Sequence, residues 1–236
     1  MNPMTNMKFK KSIVLLSGGL DCTTALALEL KNSNVKLALT FDYGQKAVDR
    51  EISSAKKISK FYGIKHKVIE IDWLKDLIQK EIPILNEEDL KNKKLLKETS
   101  NKVWVPNRNA LFINIAACFA DTSDSEYNRI IIGANKEEAE TFSDNSAEFI
   151  VSINKTLLYS TNSKVQVIAP LINKNKKEIV KLALINNAPL SEIYSCYNGT
   201  QIQCGKCESC LRLKNAINSL DTVTKNNLMI KYFGKE

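Results

Sequence analysis

Arginine is scarce in this chain: 34 residues are Lys or Arg, and only Arg50, Arg108, Arg129 and Arg212 are arginines. The formal charge of +8 is therefore almost entirely lysine. Lysine is a solvated surface cation, whereas arginine makes the bidentate contacts used to read phosphate and base, so direct nucleic-acid binding is disfavoured despite the charge. Aromatic residues are few and scattered, at 7%, and they are not concentrated near the cysteines as base stacking on a zinc-ribbon RNA binder would require. No run approaches the roughly eighteen apolar residues of a membrane span, and Met1 to Lys10 lack a signal peptide's apolar core. The expectation is a cytosolic protein with no membrane partner. There is no Walker pattern and no GxGxxG, which disfavours a P-loop NTPase or a dinucleotide dehydrogenase. The lone His66 opens an expected strand and reads as a surface or packing residue.

Cysteine, by contrast, is clustered. Cys196, Cys204, Cys207 and Cys210 fall within fifteen residues. Thiols stay reduced in the cytosol, so these four are read as metal ligands rather than disulfides. Four thiolates at short spacing favour tetrahedral Zn²⁺, with an iron–sulfur cluster as the alternative, and four protein ligands leave no open position, which makes the site structural. Cys22 and Cys118 stand apart, and Cys118, on the apolar stretch Leu111 to Ala120, is expected in the core.

From Ser12 onward short apolar runs alternate with amphipathic stretches of helical length. This pattern predicts an α/β fold, a Rossmann-like parallel sheet with helices on both faces, and a small four-Cys appendage. Strands are expected at 12–16, 35–41, 66–71, 129–133 and 164–169, and helices at 21–31, 48–62, 109–121, 146–159 and 176–186. The main domain is expected over 11–190 and the zinc-binding, helical C-terminal region over 191–220. A polar stretch at 72–102, with only Trp73 and a few aliphatics to bury, reads as an insertion or mobile lid, and the residues after about Leu220 as a short helix and tail.

Ligands of such sheets bind beyond the carboxyl ends of the strands. There, after Ile13-Val14-Leu15-Leu16, lies Ser17-Gly18-Gly19-Leu20-Asp21-Cys22-Thr23-Thr24, which runs into the helical Ala25-Leu26-Ala27-Leu28. Two glycines let the backbone approach an anion, the helix start presents free N–H groups, and the hydroxyls of Ser17, Thr23 and Thr24 add donors. Asp21, an acid where an anion is expected, makes sense as a cap or as a holder of Mg²⁺.

Ser17-Gly18-Gly19-Leu20-Asp21 resembles the SGGxD[S] signature of PP-loop enzymes, which adenylate a substrate with ATP; Cys22 replaces the usual closing Ser. A thiol is a weaker donor, and at a helix start its pKa is expected to fall, which would make the site sensitive to oxidation. Within that superfamily the chain, over about Lys11 to Asn215, is similar to the 7-cyano-7-deazaguanine synthase (QueC) family. The shared motifs are SGGLDCTTA at Ser17 to Ala25, FDYGQ at Phe41 to Gln45, WVPNRN at Trp104 to Asn109, and Ser195-Cys196-Tyr197-Asn198-Gly199 with the CxxCxxC ending at Cys210.

The resemblance implies that ATP adenylates the carboxylate of 7-carboxy-7-deazaguanine, that ammonia then gives an amide, and that a second activation gives the nitrile. It implies an ATP site at Leu16 to Leu26 with Tyr43 and Gln45, and catalytic roles for Asp21, Arg108 and Lys176. The substrate site would include Asn107, Arg108, Asn109, Glu140, Phe142 and Asp144. Where many family members carry ETDFSGYPDCR, this chain has Glu137 to Ser146 without the Gly-Tyr-Pro-Asp-Cys-Arg run. A ligase that joins the activated carboxylate to another amine and stops at the amide therefore stays open. So does the assembly state, a homodimer included.

Overall fold

A computed structural model describes residues 11–77, 83–86, 88–122 and 127–234. Five strands form one sheet: β1 (Lys11–Leu15), β2 (Asn34–Asp42), β3 (Lys65–Glu70), β4 (Tyr127–Ile131) and β5 (Gln166–Ile168). Every neighbouring pair is parallel, in the order β3-β2-β1-β4-β5. Nine α-helices are described: α1 (Leu20–Glu29), α2 (Val48–Phe61), α3 (Lys93–Val103), α4 (Arg108–Ala120), α5 (Lys136–Ala139), α6 (Ala147–Ser160), α7 (Lys176–Ile185), α8 (Glu208–Ile217) and α9 (Thr222–Phe233). Among the described residues no helix is long and apolar enough to cross a membrane.

The central strands are apolar on both faces because both faces are covered. Alternation along each strand sorts their side chains into two cores. Val14, Leu16, Ala38 and Ile131 pack with α1, α2, α7 and α8. Ile13, Leu37, Leu39, Ile130 and Ile132 pack with α4 and α6 on the other side. The strand order reverses at β1, and sheets of this kind place their ligand crevice at the carboxyl end of such a switch point.

Two expectations need correction. Within the 72–102 stretch, of which 78–82 and 87 lie outside the described residues, Asp72–Leu77 is a 3₁₀ helix and α3 forms despite its polarity. The buried apolar side chains of this stretch, among the described residues, are Leu74 and Leu85, while Trp73 is 58% exposed. Cys118 is exposed, because α4 turns Ile113, Ala116, Ala117 and Ala120 inward; a helix apolar all round gives no phase from which to tell its buried side. The short helix expected after about Leu220 is present as α9, and it is packed: Tyr232 is buried in the core, its hydroxyl donates to the Leu190 carbonyl, and its own carbonyl accepts from Gln203 N at 3.0 Å.

Candidate active site and metal centre

The loop Ser17 to Thr24, expected to bind phosphate, lies where β1 hands over to α1. Gly18 adopts φ +80°, a region in which side chains are strained, and a Cβ there would collide with Ser54. Its carbonyl accepts from Ser54 Oγ at 3.0 Å and from Tyr194 N at 2.9 Å. Gly19 is the helix N-cap and offers no side-chain cap, so the first turn of α1 presents N–H groups and a positive dipole end to the cleft. The Leu20 N–H points to Ser195 Oγ at 3.4 Å. Gly133, after β4, closes against this loop so tightly that a Cβ would sit 2.6 Å from Cys22 N.

The three hydroxyls of the loop differ. Ser17 is exposed to the cleft, Thr24 Oγ1 donates to the Leu20 carbonyl at 2.7 Å, and Thr23 Oγ1 is buried without a partner. Thr23, Thr24, Ala25 and Leu26 are fully buried, so they hold the helix against the sheet and do not line the cleft. The Cys22 thiol lies 3.5 Å from Ser17 Oγ. Burial pushes its pKa up, more than the hydrogen bonds from Ser17 pull it down. The expected lowering at a helix start is thus reversed, and the thiol stays protonated.

Asp21 anchors a charged cluster. Lys176, the first residue of α7, contacts Asp21 Oδ2 and donates to Glu138 Oε1 at 2.8 Å. Asp21 Oδ1 is buried and has no partner. Burial pushes the Asp21 pKa up to about 6 against the pull of Lys176, with Glu138 adding to the rise. Burial also works against the charge of Lys176, but Asp21 and Glu138 outweigh it and hold the ammonium protonated. The orphaned Asp21 oxygen and the adjoining Glu138 are donors of the hard, anionic kind that a Mg²⁺ ion takes.

This cluster opens into a cleft of about 350 Å³ bounded by the loops after β1, β2 and β4 and by α4. Leu16, Ser17, Gly19, Asp21, Cys22, Tyr43, Gln45, Arg108, Asn109, Phe142 and Asp144 all line it. Gln45 uses its amide internally, donating to Phe41 O and Glu51 Oε2, both at 2.9 Å, and accepting from Tyr43 N at 3.0 Å. It shapes the loop after β2.

Asn107 (φ +57°) leads into α4, which starts at Arg108. Burial disfavours the Arg108 charge, but Tyr43 and Asp144 nearby more than restore it. Asn109 Nδ2 donates to the Asp144 carbonyl at 3.2 Å, tying α4 to the segment after β4. Trp104 and Phe142 face each other with ring centroids 5.9 Å apart and planes 13° apart, beside Asp144, whose pKa burial raises.

Glu140, expected among the substrate residues, is exposed and does not line the cleft. The carboxylate turned inward is Glu138, which the sequence reading missed, together with Glu51 and Tyr197. The string Glu137-Glu138-Ala139-Glu140 offers no way to choose its inward member until α5 sets the phase.

The four cysteines converge so that all four sulfurs lie within 4.8 Å of one another, with Cys204 Sγ 3.9 Å from Cys210 Sγ. A tetrahedral ion with metal–sulfur bonds of about 2.3 Å separates its sulfurs by about 3.8 Å, so the donor set fits Zn²⁺. Backbone N–H groups of Asn198 and Cys204 point at Cys196 Sγ (3.4 and 3.3 Å), and that of Cys207 points at Cys204 Sγ (3.3 Å). Such bonds stabilise thiolates over thiols.

A family profile described as "Queuosine biosynthesis protein QueC" matches residues 11–221. A "7-cyano-7-deazaguanine synthase" of Carboxydothermus hydrogenoformans is 49% identical over 212 residues, 88% of this chain and 98% of its own. Proteins of the same name from Methanosarcina barkeri (42%, covering 87% and 93%) and Methanocaldococcus jannaschii (44%, covering 87% and 94%) match alongside it. The departure at Glu137 to Ser146 therefore does not remove the chain from this group. With the profile spanning most of its length, the chain belongs to the QueC family of queuosine biosynthesis proteins.

Proposed function

We propose that this chain uses ATP to convert 7-carboxy-7-deazaguanine and ammonia into 7-cyano-7-deazaguanine. The observation that carries the reading is the cleft itself, which joins a phosphate-binding helix start, flanked by Asp21 and Lys176, to a compartment containing Arg108, Trp104, Phe142 and Asp144.

A carboxylate is a poor electrophile until one oxygen becomes a leaving group. In the first step a substrate carboxylate oxygen attacks the α-phosphorus of ATP and pyrophosphate departs. Ammonia then adds to the acyl carbon, AMP leaves with the bonding electrons, and a proton is lost to give the amide. A second ATP adenylates the amide oxygen. Loss of AMP from carbon and of the remaining N–H protons from nitrogen leaves the nitrile.

The protein contributes position and charge. The first turn of α1 and Lys176 receive the departing pyrophosphate, while Asp21 and Glu138 would hold Mg²⁺, which supplies charge neutralisation at the phosphates. Arg108 orients the substrate carboxylate. The flat base lies along Trp104 and Phe142, where Asp144 can accept from its N–H edge. The Cys₄ centre would hold Zn²⁺ in a structural role. The test is mass spectrometry of the products after incubation with ATP, ammonium and 7-carboxy-7-deazaguanine: nitrile together with AMP and pyrophosphate is expected, and ADP with phosphate would sink the adenylation.

A further inference from the structure

One partly buried cation is left unused by that chemistry. Arg212, on α8 two residues after Cys210, donates from Nε and Nη2 to Glu208 Oε1 (2.9 and 2.8 Å) and from Nη1 to Glu137 Oε2 at 3.0 Å. Its side chain is 15% exposed. The other oxygen of Glu137 accepts the backbone N–H of Lys176 at 2.7 Å. An unbroken line of hydrogen bonds thus runs from the helical turn that carries Cys207 and Cys210 to the residue whose side chain meets Asp21 and Glu138. The capping box at the start of α7, between Asn175 and Glu178, satisfies other groups and leaves the Lys176 N–H to Glu137.

We infer that Arg212 is a positioning residue for the phosphate site: by holding Glu137 it fixes Lys176 at the mouth of the loop, and so makes the four-cysteine centre a determinant of where that lysine stands. The inference rests on the proposed reading for the role of Lys176. Glu137 sits on a four-residue helix with no buried residue, which cannot fix a side chain by packing. Arginine suits the task because its planar fork serves two carboxylates in different directions, which a lysine cannot match. A displacement of about 1 Å at a reacting centre costs up to about 10²-fold in rate.

The experiment compares Arg212→Met, Arg212→Lys, Glu137→Gln and the Arg212→Met/Glu137→Gln double variant by hydrogen–deuterium exchange, zinc content and steady-state kinetics. In Arg212→Met the first-turn amides of α7 should exchange faster and kcat should fall about 10- to 100-fold at unchanged zinc content, with KM for ATP moving by less than about 3-fold. Arg212→Lys should recover part of the loss, and the double variant should be no slower than the slower single. Unchanged exchange at Lys176, multiplicative losses in the double variant, or a kcat loss that tracks zinc loss would each overturn the inference. If Arg212→Met does not fold, Glu137→Gln and Arg212→Lys decide by the same exchange readout. If the wild type does not turn over 7-carboxy-7-deazaguanine, the proposed reaction fails, while exchange at Lys176 still decides the role of Arg212.

Discussion

Lys176 and Asp21 are 155 residues apart in sequence, yet the ammonium of one rests on a carboxylate oxygen of the other at the mouth of the phosphate loop. The second Asp21 oxygen is buried and unmatched. An unpaired buried oxygen on a charged group is costly and persists where function requires it. Asp21→Asn keeps the size and removes the charge, so it is expected to lower ATP-dependent turnover by about 10²- to 10³-fold. Circular dichroism should show the fold intact, and near-normal turnover would move the phosphate site elsewhere.

The same carboxyl should set an acid limb in the rate profile. With its pKa pushed up to about 6 by burial, Asp21 gains a proton as pH falls through that value and loses the charge that faces the phosphates. The kcat/KM for ATP should therefore decline below about pH 6. Glu138 adds to the rise, so Glu138→Gln should shift the limb to lower pH. A limb that stays in place or rises in that variant belongs to another group.

Zinc should be present at about one ion per chain by elemental analysis. Cys207→Ser should lose it and lower the melting temperature by on the order of 10 °C before any effect on chemistry is isolated. An absorbing iron–sulfur chromophore would replace this assignment.

Recognition of the base should depend on the compartment around Phe142. Asp144→Asn and Phe142→Ala are each expected to raise KM for 7-carboxy-7-deazaguanine by roughly 10-fold, about 1.4 kcal/mol, while leaving KM for ATP nearly unchanged. Equal rises for both substrates would show a collapsed cleft rather than a lost contact.

Cys22→Ser should preserve or raise activity, because the hydroxyl restores a stronger donor beside Ser17. A thiol reagent should modify exposed Cys118 well before buried, protonated Cys22. Activity lost in step with labelling of Cys22 would contradict this.

The strands were legible in the sequence because buried parallel strands read as continuous apolar runs, Ile13 to Leu16 being the clearest. The turn from strand to helix at Ser17 to Thr24 and the convergence of the four cysteines were legible because their spacing carries chemical information. What escaped was set by phase and by distant contact. The side of α4 on which Cys118 lies, the choice of Glu138 over Glu140, and the burial that reverses the thiol shift of Cys22 all depend on how elements dock. The α3 helix escaped because its residues are polar, with few apolar positions to mark a face.

The Tyr194 N–H donates to the Gly18 carbonyl and the Leu20 N–H to Ser195 Oγ, and these two bonds bear on how the protein comes into being. The loop leaves the ribosome 175 positions ahead of the segment that braces it. Contacts so far apart in sequence are among the last to form, because the chain between them must first be ordered. A nascent or truncated chain ending before Tyr194 has the glycines, the aspartate and the contacts of Ser54 and Gly133, but the loop gains its remaining brace only with the cysteine arm.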